Sequence, residues 1–131
     1  MKSIRMAWLA AAVVASFLAT GIPYWRVPYH HLTLPNALWH PGLLVPVAAA
    51  FLLCRFRVAS ILATGTLMTL SIVAVAWVRI QVETARDPTS HNLWPFEIAI
   101  VLGIALVCAW PAAGAGRLLA AASTGRDNKP S

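Results

Sequence analysis

Four histidines stand among the residues able to do chemistry in this chain: His30, His31, His40 and His91. Neutral imidazole binds zinc, copper, iron and nickel, so a metal centre is the first chemistry to weigh. The spacing argues against it. His30 and His31 are adjacent and would point apart in an extended chain. His40 is nine residues further on, and His91 falls in another loop. No HxxxH or HExxH pattern sets two ligands on one helical face. Histidines that bond to headgroups, water or loop carbonyls explain the same residues. A haem between helices is disfavoured as well, since no histidine falls midway along an apolar helix.

Glu97 is the sharpest single residue. It sits in a first helical turn, after Trp94-Pro95-Phe96. A carboxylate within a membrane span is a functional hypothesis by default, yet a carboxylate in a first turn is also what the helix dipole favours. If functional, it is a proton or cation site near Arg79 or a histidine. Arg79 and Glu83 are spaced i, i+4 and can pair, which at an exposed interface is worth only about 0.3–0.5 kcal/mol. Arg26 and Arg86 can hold a lipid phosphate or another anion. Cys54 and Cys108 are too few for a structural zinc site, and both are expected in a reducing setting without a disulfide. Nothing resembles a nucleophile elbow, a P-loop or a glycine-rich phosphate cradle. The motifs therefore predict no catalytic residue and no cofactor, with a metal ion at the histidines as the alternative.

The elements that must position these residues are membrane helices. The chain has 131 residues, of which 60% are hydrophobic and 11% charged. Soluble domains carry about 25% charged residues, and a chain with under half of that cannot coat a globule. Its mean hydropathy is +0.73. Four windows contain no Asp, Glu, Lys or Arg: Met6–Trp25, Val27–Cys54, Val58–Val78 and Ile98–Gly116, of 20, 28, 21 and 19 residues. A bilayer core about 30 Å thick takes roughly 20 residues of helix. The second and third windows meet at Cys54-Arg55-Phe56-Arg57, the basic elbow of a helical hairpin.

The expected fold is all-α: a polytopic membrane protein with four transmembrane helices in an up-down bundle over residues 1–122. The helices are placed at 4–22, 36–54, 58–81 and 94–112, with fraying past Pro111 toward Ala122. A disordered cytoplasmic tail is expected over 123–131. Lys2 and Arg5 ahead of an apolar run also resemble a secretory signal, but the run continues to Ile22, which favours an uncleaved first helix. Pro23, Pro28 and Pro35 predict an extended, irregular segment rich in aromatic residues and histidine. Asn36 is a candidate cap for the second helix. If that helix starts at Pro41 instead, residues 27–40 become a partly buried, re-entrant loop. Small residues recur every fourth position at Ala11, Ala15 and Ala19, again at Ala12, Ser16 and Thr20, and at Ala99 and Gly103. Such faces let helices approach closely in lipid.

Orientation follows from Lys and Arg. Lys2, Arg5, Arg55, Arg57, Arg117, Arg126 and Lys129 share one side, and Arg26, Arg79 and Arg86 the other. The excess puts both termini in the cytoplasm, and tryptophans near both faces fit an aromatic belt. Every histidine and Glu97 then fall on the outer side. The net charge of +6 reads as topology; without a basic run or a stacking motif no nucleic-acid partner is expected. The partners expected are the lipid bilayer and other membrane subunits, or a second copy of the chain. A non-enzymatic subunit, assembly or partner-binding protein of a bacterial inner membrane fits best. A carrier or channel for a small solute or metal ion, entered through the outer His/Glu97 cluster, is the alternative; it normally needs polar groups or broken helices at the midplane. A membrane enzyme acting on a lipid or quinone is the second, with His40, His91 and Glu97 as its only acid–base candidates.

Overall fold

The structure, a computed structural model, describes residues 1–126. These residues form four α-helices and three single turns of 3-10 helix, and no strand. The helices are α1 (Lys2–Arg26), α2 (Leu44–Arg55), α3 (Ile61–Arg86) and α4 (Trp94–Arg126). The turns, Tyr29–His31, Asn36–Leu38 and Pro41–Leu43, all lie between α1 and α2. Three of the helices, α1, α3 and α4, are long and apolar enough to cross a membrane.

Helix directions alternate. Ser16 meets Met68 and Tyr24 meets Arg79, so α1 and α3 run parallel. Leu43 clusters with Val101 and Ala105, and Cys54 with Ala109 and Ala113, so α2 and α4 run together. We call the end where α1 and α3 finish and α4 begins the upper end, and the opposite one the lower end.

The helix boundaries have local causes. In α3 the Ser60 hydroxyl caps the start by accepting from the Ala63 N–H at 3.1 Å. Asp87 ends it in extended backbone before Pro88, where the α region is disfavoured. Pro95 and Glu97 sit in the first turn of α4, where a missing N–H costs little and a carboxylate meets the positive helix end.

Several boundaries differ from the sequence expectation. The first helix reaches Arg26 rather than Ile22, because Pro23 stays inside it. A proline there removes only the bond to the Ala19 carbonyl. Gly42 lies directly against that freed oxygen, with no room for a Cβ. The second helix does not start at Asn36. His40 is extended before Pro41, as pre-proline sterics require, and its Nδ1 accepts the Gly42 N–H at 3.1 Å. The α-helix therefore begins at Leu44 and is 12 residues long, about 18 Å against the roughly 30 Å of a bilayer core. The third helix runs on to Arg86. The fourth continues through Pro111 to Arg126, so the part of the expected disordered tail over 123–126 is helical. Residues 127–131, Lys129 among them, lie outside the described residues.

The turns before α2 occupy the place its missing length leaves. Leu38 and Leu43 are buried with Tyr24, Ile72, Val75 and Val101 in an upper core. A lower core joins Ala50, Cys54, Met68, Ala109 and Ala113. Here α4 presents a stripe of small residues at i, i+4 spacing, Ala105, Ala109 and Ala113, followed by Gly116 and Ala120. Gly116 abuts the Phe51 carbonyl of α2 so closely that a Cβ would collide with it. The buried stripe of α1 is Ser16 and Thr20, with Ala12 half-buried beside them. Ala11 and Ala15 are exposed, and so are Ala99 and Gly103; Ala19 is half-buried.

The two kinds of glycine make a paired prediction. Gly42→Ala forces a methyl group into the Ala19 carbonyl and should cost about 1–3 kcal/mol. Gly103→Ala meets nothing within 4 Å and should be neutral or stabilising by up to about 1 kcal/mol. Thermal unfolding in one detergent checks both, with a lowered Tm expected for the first variant only.

Candidate functional site

The upper end is built around the last carbonyls of α1. A helix leaves its final C=O groups without intrahelical donors. Here Pro28, which has no N–H, follows four residues after Tyr24, so the i+4 donor is missing. The Tyr24 carbonyl keeps only a long 3.4 Å bond from the Val27 N–H, and Arg79 of α3 adds a closer donor. Its Nη1 donates to the Tyr24 carbonyl and its Nη2 to the Val27 carbonyl, each at 2.6 Å. The guanidinium also lies 5.0 Å from the centroid of the Tyr24 ring, within cation–π range. Arg79 is only 3% exposed. Beside it, the Trp25 indole N–H donates to the Val75 carbonyl at 3.0 Å, a second tie between α1 and α3.

The guanidinium then passes its third bond along α3. Arg79 Nε donates to Glu83 Oε1 at 3.0 Å, the i, i+4 pair expected from the sequence. The other oxygen, Glu83 Oε2, contacts His91 Nε2. His91 Nδ1 lies 2.7 Å from Glu97 Oε2. One continuous chain of polar contacts thus runs from the end of α1, through α3 and the α3–α4 loop, to the first turn of α4.

Loop geometry puts His91 there. Thr89 donates its hydroxyl and its N–H to Asp87 Oδ1, at 2.7 and 2.9 Å. The hydroxyl bond, and next to it the N–H bond, hold the Asp87 carboxyl below its ordinary range. His91 follows at φ 54°, a left-handed conformation that few non-glycine residues adopt. That conformation turns the ring between the helices, where its side chain is fully buried between two partly exposed carboxylates.

Both ring nitrogens face carboxylate oxygens. A neutral imidazole has only one N–H, so completing both bonds requires one further proton, on the ring or on a carboxyl. With that proton the charges of Arg79, Glu83, His91 and Glu97 cancel as a set. The site can therefore hold a proton and three elements together.

No family model matches this chain, and no curated protein or solved structure is similar to it.

Of the nine charged or histidine residues singled out from the sequence, the network unites Arg79, Glu83, His91 and Glu97. The others stand apart. His30 and His31 are exposed on a 3-10 turn rather than in extended backbone, with ring centroids 4.3 Å apart. His40 caps the turn before α2. Arg26 and Arg86 are exposed in the last turns of α1 and α3 and form no hydrogen bond or ion pair among the described residues. Among the described residues no group of three His, Cys, Asp or Glu side chains is arranged to hold a metal ion. Cys54 and Cys108 are free thiols. Sequence reasoning missed the Tyr24 and Val27 carbonyls as partners of Arg79, although Pro28 marked the first of them as lacking its helical donor.

Removing one member of a buried charged set leaves the others unpaired, which typically costs about 3–5 kcal/mol. Arg79→Ala should approach that loss. Arg79→Lys should recover less than half of it, since an ammonium cannot reproduce a planar fork that reaches two carbonyls and a carboxylate. His91→Ala should cost about 2 kcal/mol by leaving two carboxylates facing one another. Denaturant titration in mixed micelles checks all three, and an Arg79→Ala/His91→Ala double mutant should lose less than the sum of its parts.

Proposed function

We propose that this chain is a multi-pass protein of the inner membrane that acts without chemistry of its own, as a subunit, assembly or partner-binding protein of a larger membrane complex. The observation that carries this reading is the contrast between two faces. The charged groups inside the upper end are spent on holding the chain's own helices. The Ala99–Gly103 face of α4, by contrast, is exposed, and an added Cβ at Gly103 meets nothing. A mid-helix glycine costs roughly 1 kcal/mol relative to alanine, and nothing inside this chain uses the space it leaves. In lipid, such small-residue faces let another helix approach closely.

In this reading the bilayer is crossed four times. The second crossing combines α2 with the turns before it, so residues 27–40 serve as a re-entrant segment sheltered by α1, α3 and α4. Burial of Leu38 supports this, since non-helical backbone survives at membrane depth only when protein covers it. The Lys and Arg excess at the lower end supports cytoplasmic termini.

A carrier is the second reading. It draws on Thr20, Thr64, Thr69 and Trp110, whose buried polar atoms have no hydrogen-bond partner among the described residues. None of them lines any of three surface grooves on the bundle, which are lined mainly by apolar side chains.

Affinity purification in mild detergent tests the main proposal. The wild-type chain should retain a stoichiometric membrane partner or a second copy. Ala99→Leu/Gly103→Leu should lose it with an unchanged Tm; retention by that variant, or a stoichiometric metal in the wild-type sample, would overturn the reading. A reporter fused after Ser131 should be active in the cytoplasm, and activity confined to the periplasm would overturn the orientation.

A further inference from the structure

The lower end carries charge that no described carboxylate neutralises. The described carboxylates, Glu83, Asp87 and Glu97, all belong to the upper end. Lys2, Arg5, Arg55, Arg57, Arg117 and Arg126 belong to the lower one. Arg57 is engaged, with Nη2 donating to the Ala120 carbonyl at 3.2 Å and to Thr124 Oγ1 at 2.9 Å. Lys2 and Arg5 are exposed and have no partner among the described residues.

An apolar groove begins at Trp8, one helical turn beyond Arg5. It lies between the first half of α1 and the second half of α2, with a volume of about 600 Å³. Its walls include Trp8, Ala11, Ala15, Ala49, Leu52 and Phe56. Small alanine side chains leave its floor open. Trp8 and Phe56 are 62% and 70% exposed and flank its lower mouth. Arg5 lies one turn before Trp8 on the same face of α1, and Lys2 lies one turn before Arg5. The Trp8 indole N–H has no partner among the described residues, which is the usual state of a tryptophan at a wet interface.

We infer that this groove binds an anionic phospholipid, with an acyl chain along Ala11, Ala15 and Leu52 and the phosphodiester between Lys2 and Arg5. The apolar trench alone selects nothing, because lipid tails are everywhere in a bilayer. Selection comes from the cations at its mouth, each worth about 1 kcal/mol against an anionic leaflet. The occupant is a lipid and not a second helix for the same reason: its charged end must complement Lys2 and Arg5, which no described acidic segment of this chain does. The inference is independent of the partner reading and needs only that α1 lies in a bilayer.

Native mass spectrometry and thermal unfolding of the whole chain in detergent test it, with phosphatidylglycerol, phosphatidylcholine or inorganic phosphate added. The expected result is a one-to-one adduct with phosphatidylglycerol and a Tm raised by that lipid alone. Arg5→Gln should weaken the adduct about five-fold, the worth of one near-surface cation. Ala15→Phe, a change at an exposed position, should fill the groove and abolish the adduct while the helical circular dichroism is kept. Equal retention of phosphatidylcholine, an equal Tm rise with inorganic phosphate, or an adduct indifferent to both variants would overturn the inference.

Discussion

A helix that ends among buried side chains has carbonyls that water cannot reach, and this structure depends on how α1 meets that constraint. Arg79 supplies two of its donors to Tyr24 and Val27. A charge buried in this way must be balanced nearby, since the desolvation of a lone guanidinium would exceed what two hydrogen bonds return. Glu83 balances it, His91 joins Glu83 to Glu97, and the first turn of α4 is thereby fixed against the end of α3. The polar chain follows step by step from the weakly bonded carbonyls at the end of one helix.

A close approach marks the other irregular point of the bundle. Pro23 leaves the Ala19 carbonyl without its helical donor, and Gly42 packs against it on the way into α2 while its own N–H donates to His40. That approach fixes where the turns before α2 lie. It explains how a 12-residue helix can belong to a bundle whose other helices have 25 or more. Leu38 and Leu43 fill the upper core that a longer second helix would have filled.

Much of this was legible in the sequence because it depends on local pattern. The charge-free windows marked four spans; three of them are long apolar helices, and the second is a helix of 12 residues. The Arg79–Glu83 pair followed from its i, i+4 spacing, and the start of α4 from Trp94-Pro95 with Glu97 in the first turn. What was not legible depends on neighbours distant in sequence. Pro23 looked like the start of an extended segment with Pro28 and Pro35, but α1 carries it as an internal residue and ends at Arg26. Asn36 looked like a cap, but the pre-proline backbone at His40 broke the helix it would have capped. His91 looked like one of four interfacial histidines; its left-handed backbone, which sequence does not reveal, aims the ring between two carboxylates. Small-residue stripes were found on α1 and α4, yet the exposed members could not be told from those that bury, since alanine and glycine serve both.

The closed polar chain also bears on how this molecule would respond to voltage. A single buried arginine in a membrane feels the transmembrane field, at about 2.3 kcal/mol per elementary charge per 100 mV for a full crossing. Arg79 is not in that position. With the bridging proton in place it belongs to a set of zero total charge, gathered within a few turns at one depth. An electric field pulls on the members of such a set in opposite directions and exerts almost no net force on the whole. Polarising or depolarising the membrane should therefore leave the upper end mechanically at rest.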